Sequence, residues 1–135
     1  MILGIGLDLC DVRRLQRALA RAGFRERVFG DGEIRDCDRR ARRHVHYAAR
    51  FAAKEAFFKA IGTGWGRGVG WLDVVLDRRD DGPPRLRITG AAARRAETLG
   101  VKRTHVSITH DGDYAVAVVI LEGTPVRAGR RTERS

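Results

Sequence analysis

Long apolar runs are missing from this 135-residue sequence, and none reaches the ~20 residues that a membrane-spanning helix needs. Cysteine is scarce as well: Cys10 and Cys37 form no CxxC and suggest no disulfide framework, so a reducing cytoplasm is expected. The chain opens on a strand-like segment without the basic-then-apolar order of a secretory leader, which points to a soluble, intracellular, cytoplasmic protein with no membrane partner. Lysine is nearly absent too, at positions 54, 59 and 102 only. Few aromatics interleave with the arginines, which counts against a single-stranded nucleic-acid binder.

What is present is arginine. The 27 Lys+Arg against 17 Asp+Glu leave a net charge of +10. The planar fork of arginine suits carboxylates and phosphates. An anionic partner is therefore expected: nucleic acid, a phosphorylated small molecule or an acidic protein. The plainer alternative is that arginine is merely a favoured surface residue. The hydrophobic fraction of 43% is that of a globular chain, and the length suits one domain.

"MILGIGLDL" reads as a buried strand, its glycines marking close packing. Asp11 is a candidate N-cap for "VRRLQRALARAG", with Gly23 as the stop. Residues 31–43 read as a polar loop with a short helix. From His44 to Ile61 apolar residues recur at helical spacing, and "GTGWGRGVG" follows as a glycine-rich loop. "WLDVVLD" and "RLRI" read as strands, "GAAARRAETLG" as a helix, and "THVSITH" and "YAVAVVIL" as a hairpin joined by "DGD". This order predicts an α+β fold, an antiparallel sheet with packed helices, over residues 1–122. Residues 123–135 form a basic tail without periodicity, expected to be disordered.

Arg50, Lys54, Glu55 and Lys59 run through a helix otherwise suited to burial. Glu55 and Lys59, four apart, share a face. An exposed ion pair is the simplest account, but the phenylalanines and alanines around them leave little solvated surface, so these charges should face a cleft or an interface. The glycine loop lacks GxxxxGK[ST] and GxGxxG, yet it offers bare backbone N–H groups for close approach to a ligand. Asp8 alone reads as a turn or capping residue. Paired with Glu55 it would supply the two hard oxygen ligands that suit Mg²⁺ alongside substrate phosphates. The histidines argue against zinc, since His44 and His46 point to different helix faces and His105 and His110 to opposite pleats. Over residues 13–27, six arginines against Glu26 leave +5, either a solvated face or a docking surface for an acidic helix or a nucleic-acid backbone.

Three segments, "GIGLDLCDVRRL", "RFAAKEAFFKAIGTG" and "HVSITHDGDYAVAVVIL", with "FGDGE", "LDVVL" and "GPP" in order between them, resemble the holo-acyl-carrier-protein synthases, the small class of 4′-phosphopantetheinyl transferase. The resemblance spans residues 1–122 and implies that family's fold. It implies transfer of phosphopantetheine from coenzyme A to a serine of an acidic apo-acyl carrier protein, with release of adenosine 3′,5′-bisphosphate. By resemblance, Asp8 and Glu55 hold Mg²⁺, and Lys59 lies near the same phosphates. Glu55, or a water it holds, is the candidate general base. Coenzyme A would meet Arg50, Lys59, Gly62, Thr63, Gly64 and His105, with Ser107 or His110 as further candidates. Arg14 and Arg21 would grip the carrier protein. A homotrimer with its sites at the subunit boundaries, and sheet strands at its centre, is also implied. The family often has Glu where Asp11 stands and Thr where Gly30 stands; neither departure touches the metal pair. A basic nucleic-acid-binding module is the competing expectation, distinguished by needing neither Mg²⁺ nor Glu55.

Overall fold

The computed structural model describes residues 1–62, 68–78 and 82–126. Five strands and five α-helices lie along them. Strand β1 (Ile2–Asp11) leads into α1 (Val12–Leu19), α2 (Phe24–Val28), α3 (Asp31–Asp38) and the long α4 (Arg43–Ile61). After a 3₁₀ turn at Trp71–Asp73 come β2 (Val74–Asp77), β3 (Arg85–Ile88), α5 (Gly90–Leu99), β4 (Val101–Asp111) and β5 (Tyr114–Gly123). Strands β1, β5 and β4 form one antiparallel sheet in that order, and β2 and β3 form a separate hairpin. The predicted α+β architecture is the one observed.

α4 lies across one face of the three-stranded sheet, and the residues between them explain how closely. β1 turns Gly4 and Gly6 toward the helix, and β5 turns Ala115 and Ala117, both fully buried. A Cβ at Gly6 would sit 1.7 Å from the Ala56 carbonyl oxygen, and one at Gly4 would sit 2.2 Å from that of Ala60. The expected close packing at these glycines is thus contact with helix backbone itself. Because side chains alternate along a strand, Asp8 and Cys10 follow Gly4 and Gly6 on the same face. The helix ends where it was expected to, on Gly62 at φ +75.

Three expectations need correction. β1 is not buried on both faces: Ile5, Leu7 and Leu9 point away from α4 and are 60%, 60% and 61% exposed. The first helix does not run to Gly23; it stops at Leu19, and Gly23, at φ +82, begins α2. The short helix expected within residues 31–43 is α3, which the Glu33 carboxylate stabilises by accepting from the Gly30 N–H at 3.0 Å. The start of "WLDVVLD" is a 3₁₀ turn, since Asp73 accepts from the Gly70 N–H at 3.1 Å and curls the chain back. Asp11 caps α1 as anticipated, accepting from the N–H groups of Arg13 and Arg14 at 2.9 and 3.3 Å. Gly123 belongs to β5, while the rest of the expected tail from residue 127 onward lies outside the described residues.

Candidate active site

The four charges of α4 from Arg50 onward fall on two faces. Glu55 and Lys59 lie one turn apart, and Arg50 and Lys54 lie one turn apart on a neighbouring side. The first pair faces a cleft, as expected. In the second pair Lys54 turns inward, while Arg50, although buried, lines a second cleft.

Lys59 reaches across to β1, its Nζ donating to Asp8 Oδ1 and to the Leu7 carbonyl, both at 3.0 Å. Asp8 and Glu55 line the same cleft of about 740 Å³. It is also lined by Arg14 and Arg17 of α1, by Arg21 just beyond that helix, and by Phe24, Phe51 and Tyr114. Glu55 is half-buried. Burial pushes its carboxyl above the ordinary glutamate range, the negative charge of Asp8 adds to this, and Lys59 opposes it. Two carboxylates brought together so that one resists ionising form a donor pair that a divalent cation would relieve. Among the described residues no three His, Cys, Asp or Glu side chains are arranged to hold a metal by themselves, so the pair suits an ion completed by phosphate oxygens and water. Cys10 also lines this cleft, but burial, then the charges of Asp8, Asp11 and Glu55, push its thiol up to about 12, which leaves it unreactive.

Lys54 is fully buried, its Nζ donating to Glu33 at 2.8 Å, to the Trp71 carbonyl at 3.1 Å and to the Val74 carbonyl. Glu33, equally buried, also accepts from the Leu76 N–H at 3.1 Å. Burial pulls Lys54 below the ordinary lysine range, against the pull of Glu33. Arg50 pairs with Asp36 of α3. The acids that receive these charges were not recognised as partners from sequence. The one available signal was "FGDGE", whose spacing from the "KEA" block was noted without a role for Glu33.

The remaining expected residues divide between places. Arg14 and Arg21 share the cleft with Asp8 and Glu55. Gly62 caps α4, donating its N–H to the Lys59 carbonyl at 3.1 Å, while Thr63 and Gly64 lie outside the described residues. Arg50 lines a second cleft, of about 270 Å³, with His46, Arg78, Pro84, Ile108 and His110. His105 is not there. It lies on the opposite pleat of β4, with its Nε2 3.3 Å from Glu122. His110, only a secondary candidate from sequence, is the histidine that the fold places beside Arg50.

A paired-acid cleft with a lysine reaching into it, built where a helix crosses glycines of an antiparallel sheet and walled by arginines, defines a group-transfer enzyme acting on phosphate chemistry. The comparisons narrow the class. Residues 4–119 match the 4′-phosphopantetheinyl transferase superfamily, and the chain belongs to it. The sequence is 53% identical over 132 residues to the holo-[acyl-carrier-protein] synthase of Methylobacterium radiotolerans, covering 93% of this chain and 97% of that one. The fold superposes on the crystal structure of holo-[acyl-carrier-protein] synthase from Neisseria meningitidis with a TM-score of 0.81 at 31% identity, covering 90% of this chain and 99% of that one. The enzyme from Helicobacter pylori, in complex with coenzyme A, matches with a TM-score of 0.77 at 27% identity, over 87% of this chain and 99% of that one.

Proposed function

We propose that this enzyme transfers 4′-phosphopantetheine from coenzyme A to a serine hydroxyl of an apo-acyl carrier protein and releases adenosine 3′,5′-bisphosphate. The observation that carries the reading is the cleft itself, lined by Asp8 and Glu55 together with Arg14 and Arg21, with Lys59 bonded to Asp8. The reaction needs both sets of residues, one for a pyrophosphate and one for an acidic protein. The high net charge is thereby accounted for without nucleic acid.

Asp8 and Glu55 would hold Mg²⁺, which when bound supplies charge neutralisation on the pyrophosphate oxygens. The serine oxygen forms its bond to the β-phosphorus as the phosphoanhydride bond breaks. The electron pair leaves with the nucleotide, and the serine proton passes to a water held by Glu55 or to Glu55 itself. Lys59 supplies a fixed positive charge to the phosphates. Gly62, which ends α4, would leave room for the pantetheine arm.

The Arg50 cleft, with His110, suits the nucleotide end and its 3′-phosphate. Arg50 lies about 140° round α4 from Glu55, so one chain does not present both to one small ligand. A homotrimer meets that difficulty by joining the first cleft of one subunit to the second cleft of its neighbour. Its support is the outer sheet face, where Ile5, Leu7 and Leu9 register with Ile120, Val118 and Val116. His105 lies on that outer side, as an interface residue. A cytoplasmic setting agrees with the two free, buried thiols, and no helix among the described residues is long and apolar enough to cross a membrane.

Intact-mass spectrometry of an apo-acyl carrier protein incubated with the enzyme, coenzyme A and Mg²⁺ tests the reading. A gain of one phosphopantetheinyl group, lost with EDTA, is expected. In Asp8→Ala and Glu55→Gln, kcat/KM should fall on the order of 10²–10³-fold or more while the fold persists. Near-native turnover by either variant would sink the metal assignment.

A further inference from the structure

The two acids that α3 turns toward α4 differ in setting. Glu33 is sealed inside, whereas Asp36 sits at the edge of the Arg50 cleft with its side chain 15% exposed. Asp36 Oδ1 accepts from Arg39 Nη2 at 2.7 Å, from Arg39 Nε at 3.2 Å and from Arg40 Nη2 at 3.2 Å, and Oδ2 accepts from Arg50 Nη2. Arg50 Nη1 donates to the His46 carbonyl at 3.4 Å, and the side chain is only 4% exposed. The guanidinium is thus tied at two points before any ligand arrives, yet it still lines the cleft with His46, Arg78 and His110. The surrounding arginines hold the Asp36 carboxyl down at about 2 despite its partial burial, so the tie persists across the working pH range.

A free arginine must be ordered when it grips a phosphate, and an arginine already fixed does not pay that cost again. The opposing effect is repulsion, since a carboxylate beside a phosphate weakens its binding. Here three guanidinium groups share one carboxylate, leaving a surplus of positive charge.

We propose that Asp36 is a positioning residue that fixes the Arg50 guanidinium in this cleft and thereby sets the selectivity for a nucleotide carrying a 3′-phosphate. The inference rests on the assignment of the Arg50 cleft to the nucleotide end. It is tested by measuring kcat and KM for coenzyme A and for 3′-dephospho-coenzyme A in the wild type, Asp36→Asn, Asp36→Glu and Arg50→Gln. The ratio of the two kcat/KM values is insensitive to the fraction of enzyme folded, so a loss of stability does not imitate the effect. Asp36→Asn should lower the preference for coenzyme A ~10-fold, through KM rather than kcat, and Asp36→Glu should recover part of it. Arg50→Gln should make the two substrates nearly equivalent. If Arg50→Gln loses the preference but Asp36→Asn keeps or raises it, the positioning role is wrong and the cleft assignment stands. If Arg50→Gln keeps the preference, the cleft assignment itself fails and the inference falls with it.

Discussion

Glu55 is held in a place that does not suit a free carboxylate. Burial and the neighbouring Asp8 both favour its protonated form, and only Lys59 opposes them. An acid whose folded-state value lies above its unfolded one keeps its proton longer in the folded chain. Stability is therefore lost as pH rises from the unfolded value through the folded one. Glu55→Gln removes that penalty. In metal-free protein at about pH 8 the variant should melt above the wild type, and the gain should vanish as the pH falls below the ordinary glutamate range, where the wild-type residue is protonated in both states. Calorimetry across that range is the check, and a variant less stable at high pH would show that Lys59 dominates the local field. The same substitution should abolish transfer, so the residue trades stability for activity. Asp8 and Glu55 were legible as a pair because their motifs name the residue types. Glu33 and Asp36 were not, because an enclosed partner is defined by what it faces.

One turn of α4 and one pair of glycines set the position of the cleft. Gly6 lies under Ala56 and Gly4 under Ala60, and this contact holds Asp8 at the distance from which Lys59 reaches it. The obstacle to a larger residue is helix backbone, which has no alternative rotamer. Gly6→Ala should therefore cost on the order of 3 kcal/mol or more, at or beyond the top of the usual overpacking range, and should lower activity in whatever fraction remains folded. Urea unfolding with a parallel turnover assay reads both; a shift below 1 kcal/mol would mean that α4 moves freely.

The opposite side of α4 is held by Lys54 and Glu33, which join it to α3 and to β2. Lys54→Met alone leaves a buried carboxylate uncompensated and should cost about 3–5 kcal/mol. Adding Glu33→Gln should recover part of that loss, so the two effects should not sum in a double-mutant cycle. Helical periodicity located α4 to within a residue at either end, since it depends only on local spacing. It did not locate the break at Leu19, because the arginine and alanine pattern runs on past it and the turn into α2 is a matter of packing against α4.

For the molecule as a whole, the outer face of the three-stranded sheet is the unresolved account. Ile5, Leu7 and Leu9 stand beside the valines and isoleucine of β5, a continuous apolar surface on a chain otherwise covered with arginine. Burying an aliphatic side chain contributes roughly 1.5–3 kcal/mol, so several together supply a strong drive to associate. Ile5→Asp, which leaves the inner face and the cleft untouched, should give monomers in sedimentation velocity and little transferase activity, because each site would then lack its neighbour's cleft. Full activity in a monomeric variant would show that one chain suffices.

The α+β class, the N-cap at Asp11 and the stop at Gly62 were settled by residue types at short spacing, where local chemistry leaves few alternatives; the pairing of Asp8 with Glu55 came instead from the family resemblance. The three-dimensional arrangement settled the rest. It sent Lys54 and Arg50 inward to acids 21 and 14 residues away, brought His110 rather than His105 beside Arg50, and left an apolar sheet face uncovered. The reason is that alternation along β1 shows two faces with apolar side chains or glycine on both, and only the position of α4 determines which face is buried.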